Sequence, residues 1–227
     1  MSQRIYCISG LGANEKVFSQ LQLPGYELVF LQWIMPEQNE TIGSYAQRMA
    51  TFIADKRPVI AGVSFGGMIA VEISKWMEVE KLILISSVTT REDLPWWMRM
   101  AGILRLHKLI RPRPHPILYP IENYFLGAAS KPEQKIANQF RQTVNDRFLQ
   151  WSIHEIVTWR NVTKPPNCIQ IHGTADKLFP VRKSKVNYLI ANGGHFMVYN
   201  RAKEVSAIIL QVPVSYTHLR AHETVLD

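Results

Sequence analysis

The chain has 227 residues, of which 47% are hydrophobic and 19% are charged. This composition suits one globular domain with a hydrophobic core, and it excludes disordered, collagen-like and coiled-coil classes. No apolar run is long enough to predict a transmembrane helix, and we expect no secretory signal peptide. The net charge of +8 favours an anionic ligand or a membrane surface, but no nucleic-acid-binding motif accompanies it.

The two cysteines, Cys7 and Cys168, lie in apolar runs that are typical of strands. Two cysteines are too few for a disulfide scaffold, so we expect buried free thiols in a reducing compartment. The sequence therefore predicts a cytoplasmic protein.

Strands and helices alternate over most of the chain. Helical patterns are predicted over residues 41–56, 65–77 and 201–211. Short apolar runs predict six strands, at residues 4–8, 26–31, 58–61, 81–85, 167–172 and 186–190. This alternation predicts an α/β protein with a mostly parallel six-stranded sheet and helices on both faces.

The alternation stops after the fourth strand, between residues 88 and 165. This insertion reads as helix and loop, and its residues 94–121 contain five arginine and lysine residues and no acidic residue. One predicted helical face contains Trp96, Met100, Ile103, His107 and Ile110. We expect that face to pack on the core, with the basic residues forming a solvated rim.

The insertion has a second interpretation. It would be a lid in which Trp96 and Trp97 line an acyl pocket, while the basic rim attracts an anionic substrate or a lipid surface. In both interpretations residues 1–87 and 166–214 form the core, and residues 88–165 form a separate cap.

The last thirteen residues, 215–227, do not continue the preceding helical pattern. They resemble the translated read-through of a sequencing adapter, and we expect a non-native tail that takes no part in the fold. The alternative is a genuine terminal helix.

The sharpest motif is Gly62-Val-Ser64-Phe65-Gly66, which matches G-x-S-x-G where a strand meets a helix. A serine on such a turn has strained backbone angles, and glycines two residues to either side relieve the crowding. The backbone N–H of Phe65 opens the helix, where it can stabilise an oxyanion. A serine hydroxyl is a poor nucleophile without a base, so the motif predicts a histidine partner held by an acid.

The best candidate base is His195, which follows two glycines directly after the last predicted strand. Ligands bind at this carboxyl edge in open α/β sheets. Asp176 follows the fifth strand in a Gly-Thr-Ala turn and is the preferred acid, with Glu92 and Asp93 as the alternatives. His172 lies inside a strand and is interpreted as a structural residue, and the other histidines fall in the cap or the tail.

Four stretches together resemble the α/β-hydrolase superfamily, and they span residues 4–211 apart from the insertion. They are Ile8–Gly12, Gly62–Gly67, His172–Pro180 and Gly193–Met197. The resemblance implies Ser64 as nucleophile, Asp176 as orienting acid and His195 as base, with no metal or cofactor. It also implies a second oxyanion N–H from the loop after the first strand, at Leu11, although this loop begins Ser-Gly where the family often has His-Gly.

The predicted function is a serine hydrolase that cleaves a carboxylic ester or thioester of a small or acyl substrate through an acyl-enzyme. Candidate substrate contacts are Trp96, Trp97 and Phe179. One alternative is a lyase of the same fold that abstracts a proton from a small acidic metabolite. The other is a ligand receptor of the same fold without catalytic activity.

Overall fold

Six parallel strands form the central sheet of the structure, a computed structural model that describes residues 2–109, 115–181 and 186–212. The strands are β1 (Gln3–Ile8), β2 (Tyr26–Phe30), β3 (Val59–Val63), β4 (Lys81–Ile85), β5 (Cys168–Gly173) and β6 (Tyr188–Ile190). Their order across the sheet is β2-β1-β3-β4-β5-β6, and every neighbouring pair is parallel. The predicted six-stranded α/β fold is confirmed.

Helices cover both faces of this sheet. They are α1 (Ile42–Ala50), α2 (Phe65–Ile73), α3 (Trp96–Ile103), α4 (Tyr119–Leu126), α5 (Lys131–Thr143), α6 (Asp146–Thr158), α7 (Met197–Asn200) and α8 (Ala202–Gln211). Side chains alternate across a strand, so β1 sends Tyr6 into the core beneath α1 and α2 and Cys7 into the core beneath α7 and α8. Both faces of the sheet are therefore buried, as parallel sheets require.

The two cysteines lie on strands that are separated by two others. Cys7 is on β1 and Cys168 on β5, with β3 and β4 between them, and both thiols are free. Burial raises the pKa of each thiol to about 12, because the thiolate would lose its hydration. The prediction of two unpaired thiols is confirmed, but only Cys7 is buried as predicted, whereas Cys168 is partly buried.

Two helices are shorter than their patterns predict. α1 ends at Ala50 and α2 at Ile73, against predicted ends at 56 and 77. Beyond both ends the chain keeps turning with bonds to the third preceding residue, as in Ile53 N–H to Ala50 and Trp76 N–H to Ile73. These tighter turns preserve the apolar spacing for a few residues after the α-helix ends. The sequence pattern therefore predicted both helices a few residues too long.

The face on which α3 packs differs from the prediction. Trp96, Met100 and Ile103 are exposed, whereas Met98 and Gly102 are buried on the side that meets α6. A Cβ on Gly102 would lie 1.9 Å from the Val157 carbonyl oxygen, so the missing side chain permits close helix contact on this side. The prediction that the Trp96 face packs on the core is wrong for that reason.

The predicted continuation of that helix also differs. The chain leaves α3 through Arg105, whose φ of 55° is incompatible with a continuing right-handed helix. His107 consequently lies in a separate 3-10 turn, while Ile110 and the predicted tail at 215–227 lie outside the described residues. Across the part of the chain that is described, no helix combines the length and apolarity needed to cross a membrane.

Candidate active site

Ser64 is the single residue between β3 and α2. Its backbone has φ 53° and ψ −120°, a conformation that non-glycine residues rarely adopt. The Ser64 N–H donates to the Ile85 carbonyl at 3.0 Å, and the Ser87 hydroxyl donates to the Ser64 carbonyl at 2.6 Å. Bonds from the neighbouring strand β4 and its continuation therefore hold the strained turn.

The flanking glycines are required by close backbone contacts. A Cβ on Gly62 would lie 2.5 Å from the Cα of Gly67, and a Cβ on Gly66 would lie 2.2 Å from the Ser9 carbonyl oxygen. Both obstacles are main-chain atoms that cannot rotate away. The glycines thus let α2 begin directly against the loop after β1.

His195 connects Ser64 to Asp176. Its Nε2 is 2.8 Å from the Ser64 Oγ, and its Nδ1 is 2.8 Å from the Asp176 Oδ2. The imidazole is buried in the turn between β6 and α7, and its ring meets Phe179 edge-on with centroids 5.2 Å apart. The structure thus brings the three predicted side chains into one continuous chain of hydrogen bonds.

Asp176 is buried at the carboxyl edge of the sheet, and both of its carboxylate oxygens have hydrogen-bond partners. Its Oδ1 accepts from the backbone N–H groups of Leu178 at 2.9 Å and Phe179 at 2.8 Å. Burial acts to raise the pKa of Asp176, but the positive charge that His195 acquires and hydrogen bonds from His172 and His195 hold it well below its ordinary value. The carboxylate therefore stays ionised, and an ionised carboxylate at 2.8 Å favours the imidazole tautomer whose Nδ1–H donates to it.

His172 contacts the same carboxylate, which the sequence did not indicate. Its Nε2 lies 2.9 Å from the Phe179 carbonyl oxygen and 3.2 Å from the Asp176 Oδ2. His172 was correctly predicted to lie in a strand. Its side chain is buried against the turn that carries Asp176, which the sequence analysis did not predict. The available signal was the four-residue spacing to Asp176 across a strand end.

One predicted oxyanion donor, Phe65, follows Ser64 in the chain, and the other, Leu11, lies in the loop after β1. A Cβ on Gly10 would lie 3.4 Å from the Ser64 Cβ, so the loop that carries Leu11 is directly beside Ser64. Among the turn, loop and cap bonds of the described residues, none uses the N–H of Leu11 or Phe65. Phe65 is also the first residue of α2, where the helix dipole favours negative charge.

His195 bonds to Asp176 and to neither of the alternative acids. Asp93 accepts hydrogen bonds from Thr89 and Thr90 and so caps its own 3-10 turn, while Glu92 is exposed. No group of three or more side chains suited to holding a metal ion occurs in the described parts of the chain.

The hydrogen bonds of the insertion histidines are to groups within the insertion. His107 and His154 share a hydrogen bond of 2.7 Å, and His115 is exposed. Burial and the neighbouring His107 lower the pKa of His154. This pair joins α6 to the turn after α3.

Of the three predicted substrate contacts, only Phe179 is in contact with the hydrogen-bonded chain of Ser64, His195 and Asp176, because its ring packs on His195. Trp96 and Trp97 are 69% and 47% exposed at the start of α3, so their contact with a substrate stays a prediction. The insertion itself reaches the histidine loop, because the Phe196 N–H donates to the Leu126 carbonyl at 2.9 Å.

The chain belongs to the alpha/beta hydrolase family, whose family model matches residues 21–208. The general class is therefore that of a hydrolase. No curated protein matches the sequence.

Solved structures with the same fold are remote in sequence. An esterase from Thermogutta terrifontis, solved with malate bound, has a TM-score of 0.70 at 13% identity and covers 91% of this chain and 88% of its own. An esterase from Exiguobacterium antarcticum has a TM-score of 0.69 at 16% identity, with 92% and 90% covered. A putative lipase from Acinetobacter baumannii has a TM-score of 0.65 at 15% identity, with 92% and 82% covered.

Proposed function

We propose that this protein is a serine esterase that cleaves a carboxylic ester or thioester through an acyl-enzyme. The observation that carries the proposal is the chain of two 2.8 Å hydrogen bonds from Ser64 through His195 to Asp176. The strained Ser64 backbone adds to it, because such strain is characteristic of an exposed nucleophile at a strand-to-helix turn.

In the acylation step, the Ser64 Oγ attacks the ester carbonyl carbon while the His195 Nε2 takes the hydroxyl proton. The carbonyl electron pair moves to the oxygen, and the N–H groups of Leu11 and Phe65 stabilise the resulting oxyanion. As the oxyanion collapses, the bond to the leaving alkoxide or thiolate breaks and His195 returns its proton to the leaving group. Asp176 stabilises the imidazolium throughout without taking its proton.

Deacylation repeats these steps with water. His195 removes a proton from the water, whose oxygen attacks the acyl carbon and forms a second oxyanion. Collapse of this intermediate breaks the bond to the Ser64 Oγ, which recovers its proton from His195. The products are a carboxylic acid and the free enzyme.

The insertion is proposed as a cap over this site, formed by residues 88–165. Support comes from the direct bond between Leu126 of α4 and Phe196, next to the proposed base. The neighbouring Lys177 places its ammonium 3.3 Å from the centre of the Tyr124 ring, also on α4. Changes in α4 are therefore expected to alter substrate preference.

Labelling with a fluorophosphonate tests the nucleophile. Wild type should gain one covalent adduct, located on Ser64 by peptide mass analysis. Ser64→Ala should lose the adduct and lower the kcat for p-nitrophenyl esters by about 10⁴-fold or more. Ser19→Ala, at an exposed serine on the surface, is the matched control and should behave as wild type.

The alternatives give different results. A receptor without catalytic activity would give no turnover of any ester, and a lyase would release product without a detectable acyl adduct on Ser64. Labelling that persists in Ser64→Ala would contradict the nucleophile assignment directly.

A further inference from the structure

The outward face of the α3 segment, residues 96–109, is apolar where a solvent-facing helix is ordinarily polar. The exposed side chains include Trp96 at 69% and Leu109 at 82%, together with Met100, Ile103 and Leu104. We call this the 96–109 surface. Met98 and Gly102, on the opposite side of α3, already make its contact with α6. The outward side chains therefore take no part in the packing of α3 on the rest of the protein.

The residues of the 96–109 surface are close enough to form one patch. At 100° per residue, Trp96, Met100, Ile103 and Leu104 fall within about a third of the helix circumference. In the 3-10 turn Leu106–Lys108 that follows, Leu106 is also exposed, and so is Leu109 just beyond it. Contiguous apolar area of this kind marks an interaction site on a globular protein.

The charges of the 96–109 surface are of one sign. Arg105 and Lys108 are exposed within it, and the sequence has no acidic residue between Leu94 and Ile121. A second copy of the chain docking through this face would bring like charges together, which disfavours association. An anionic partner would instead be attracted by these charges while covering the apolar side chains.

We propose that the 96–109 surface binds the surface of an anionic lipid bilayer. Segments that lie at the boundary between lipid headgroups and acyl chains typically combine tryptophan, leucine and isoleucine with arginine and lysine. The basic groups would contact the anionic headgroups, and the apolar groups would enter the boundary. This inference goes beyond the proposed esterase activity and does not depend on it.

Vesicle sedimentation of the full chain tests the proposal. Binding to phosphatidylcholine vesicles should rise by about tenfold or more when phosphatidylglycerol is included, since each basic residue near an anionic surface contributes about fivefold. Binding should fall again at high salt, because the attraction between exposed charges is screened. Equal binding to both vesicle types would overturn the proposal.

Two variants separate the charged and apolar contributions, each with a control of the same chemistry elsewhere. Arg105→Gln/Lys108→Gln should lose most of the gain from phosphatidylglycerol, whereas Lys131→Gln/Lys135→Gln, at exposed positions of α5, should retain it. Trp96→Ala should weaken binding several-fold, whereas Trp76→Ala, at a tryptophan 54% exposed after α2, should not. Equal losses in variant and control would refute a specific surface.

Two further measurements, made without vesicles, test the dimer alternative and the independence of this proposal from the esterase proposal. Sedimentation velocity that shows a dimer dissociating in Trp96→Ala would assign the surface to a second copy and overturn the lipid proposal. Fluorophosphonate labelling of Arg105→Gln/Lys108→Gln should equal that of wild type. If wild type binds vesicles but is not labelled, the esterase proposal fails and the lipid proposal stands.

Discussion

The Nε2 of His172 lies 3.2 Å from the Oδ2 of Asp176, the same oxygen that the His195 Nδ1 approaches to 2.8 Å. Two histidines therefore converge on one carboxylate oxygen, while the other oxygen accepts two backbone N–H groups. In the proposed mechanism Asp176 must hold a fixed direction, and His172 is one of the groups that fixes it. This relationship leads to the first prediction.

His172→Leu should lower the rate of fluorophosphonate labelling by about tenfold, which corresponds to losing one hydrogen bond to a charged group. KM for a small ester should change little, because His172 lies behind the acid and not beside Ser64. His172→Gln retains an N–H donor and should recover part of the rate. The matched control is His154→Leu in the insertion, and equal rates in His172→Leu and His172→Gln would contradict a positioning role.

Asp176 should also make stability depend on acid pH. Its pKa in the folded protein is lowered from an ordinary value of 3.8, so the folded state binds this proton less readily than the unfolded state. The carboxylate therefore contributes stability above about pH 4 that is lost as pH falls toward the folded pKa. Urea unfolding between pH 7 and pH 3 should show a steeper loss for wild type than for Asp176→Asn.

The control for the acid transition is Glu92→Gln, which removes an exposed carboxylate and should follow the wild-type curve. Parallel curves for wild type and Asp176→Asn would show that Asp176 is not held as a carboxylate by its neighbours.

Gly66→Ala should destabilise the protein by about 2–4 kcal/mol, because overpacking against main-chain atoms forces the backbone to move. The added Cβ would lie 2.2 Å from the Ser9 carbonyl oxygen. Gly43→Ala on α1 is the matched control, since its Cβ has no neighbour closer than 3.7 Å. That change should stabilise the helix by about 0.5–1 kcal/mol, and chemical denaturation measures both. Similar values for the two variants would contradict the close packing of the Gly66 turn.

Both cysteines should resist alkylation in the folded protein. The pKa of each thiol is raised to about 12 by burial, so almost no thiolate is present at neutral pH. Iodoacetamide should add slowly to the native chain and rapidly at two positions after unfolding, as read by intact mass. A single adduct after unfolding without reductant would indicate a disulfide to another molecule, and none would indicate a bond between Cys7 and Cys168.

The α/β fold was predictable from the sequence because its signals are local. A parallel strand buried on both faces is a short apolar run, and Lys81–Ile85 matches its predicted bounds. The Ser64 motif was equally predictable as a pattern, and the need for glycine at position 62 arises locally, from Gly66 and Gly67. The need for glycine at position 66 comes instead from the Ser9 carbonyl after β1, which only the fold brings close. Ser64, Asp176 and His195 could be chosen together because each follows a strand, and parallel strands place their carboxyl ends along one edge.

Other features depend on contacts between residues distant in sequence, and only the tertiary structure decided them. Periodicity identified an apolar face on the α3 segment, but the contact of Gly102 with Val157 turned that face outward. His172 could be predicted to lie in a strand, but its contact with Asp176 depends on how the following turn folds back over β5. Side-chain spacing along a chain determines which residues share a face, whereas the partner that covers the face is set by packing across the whole domain.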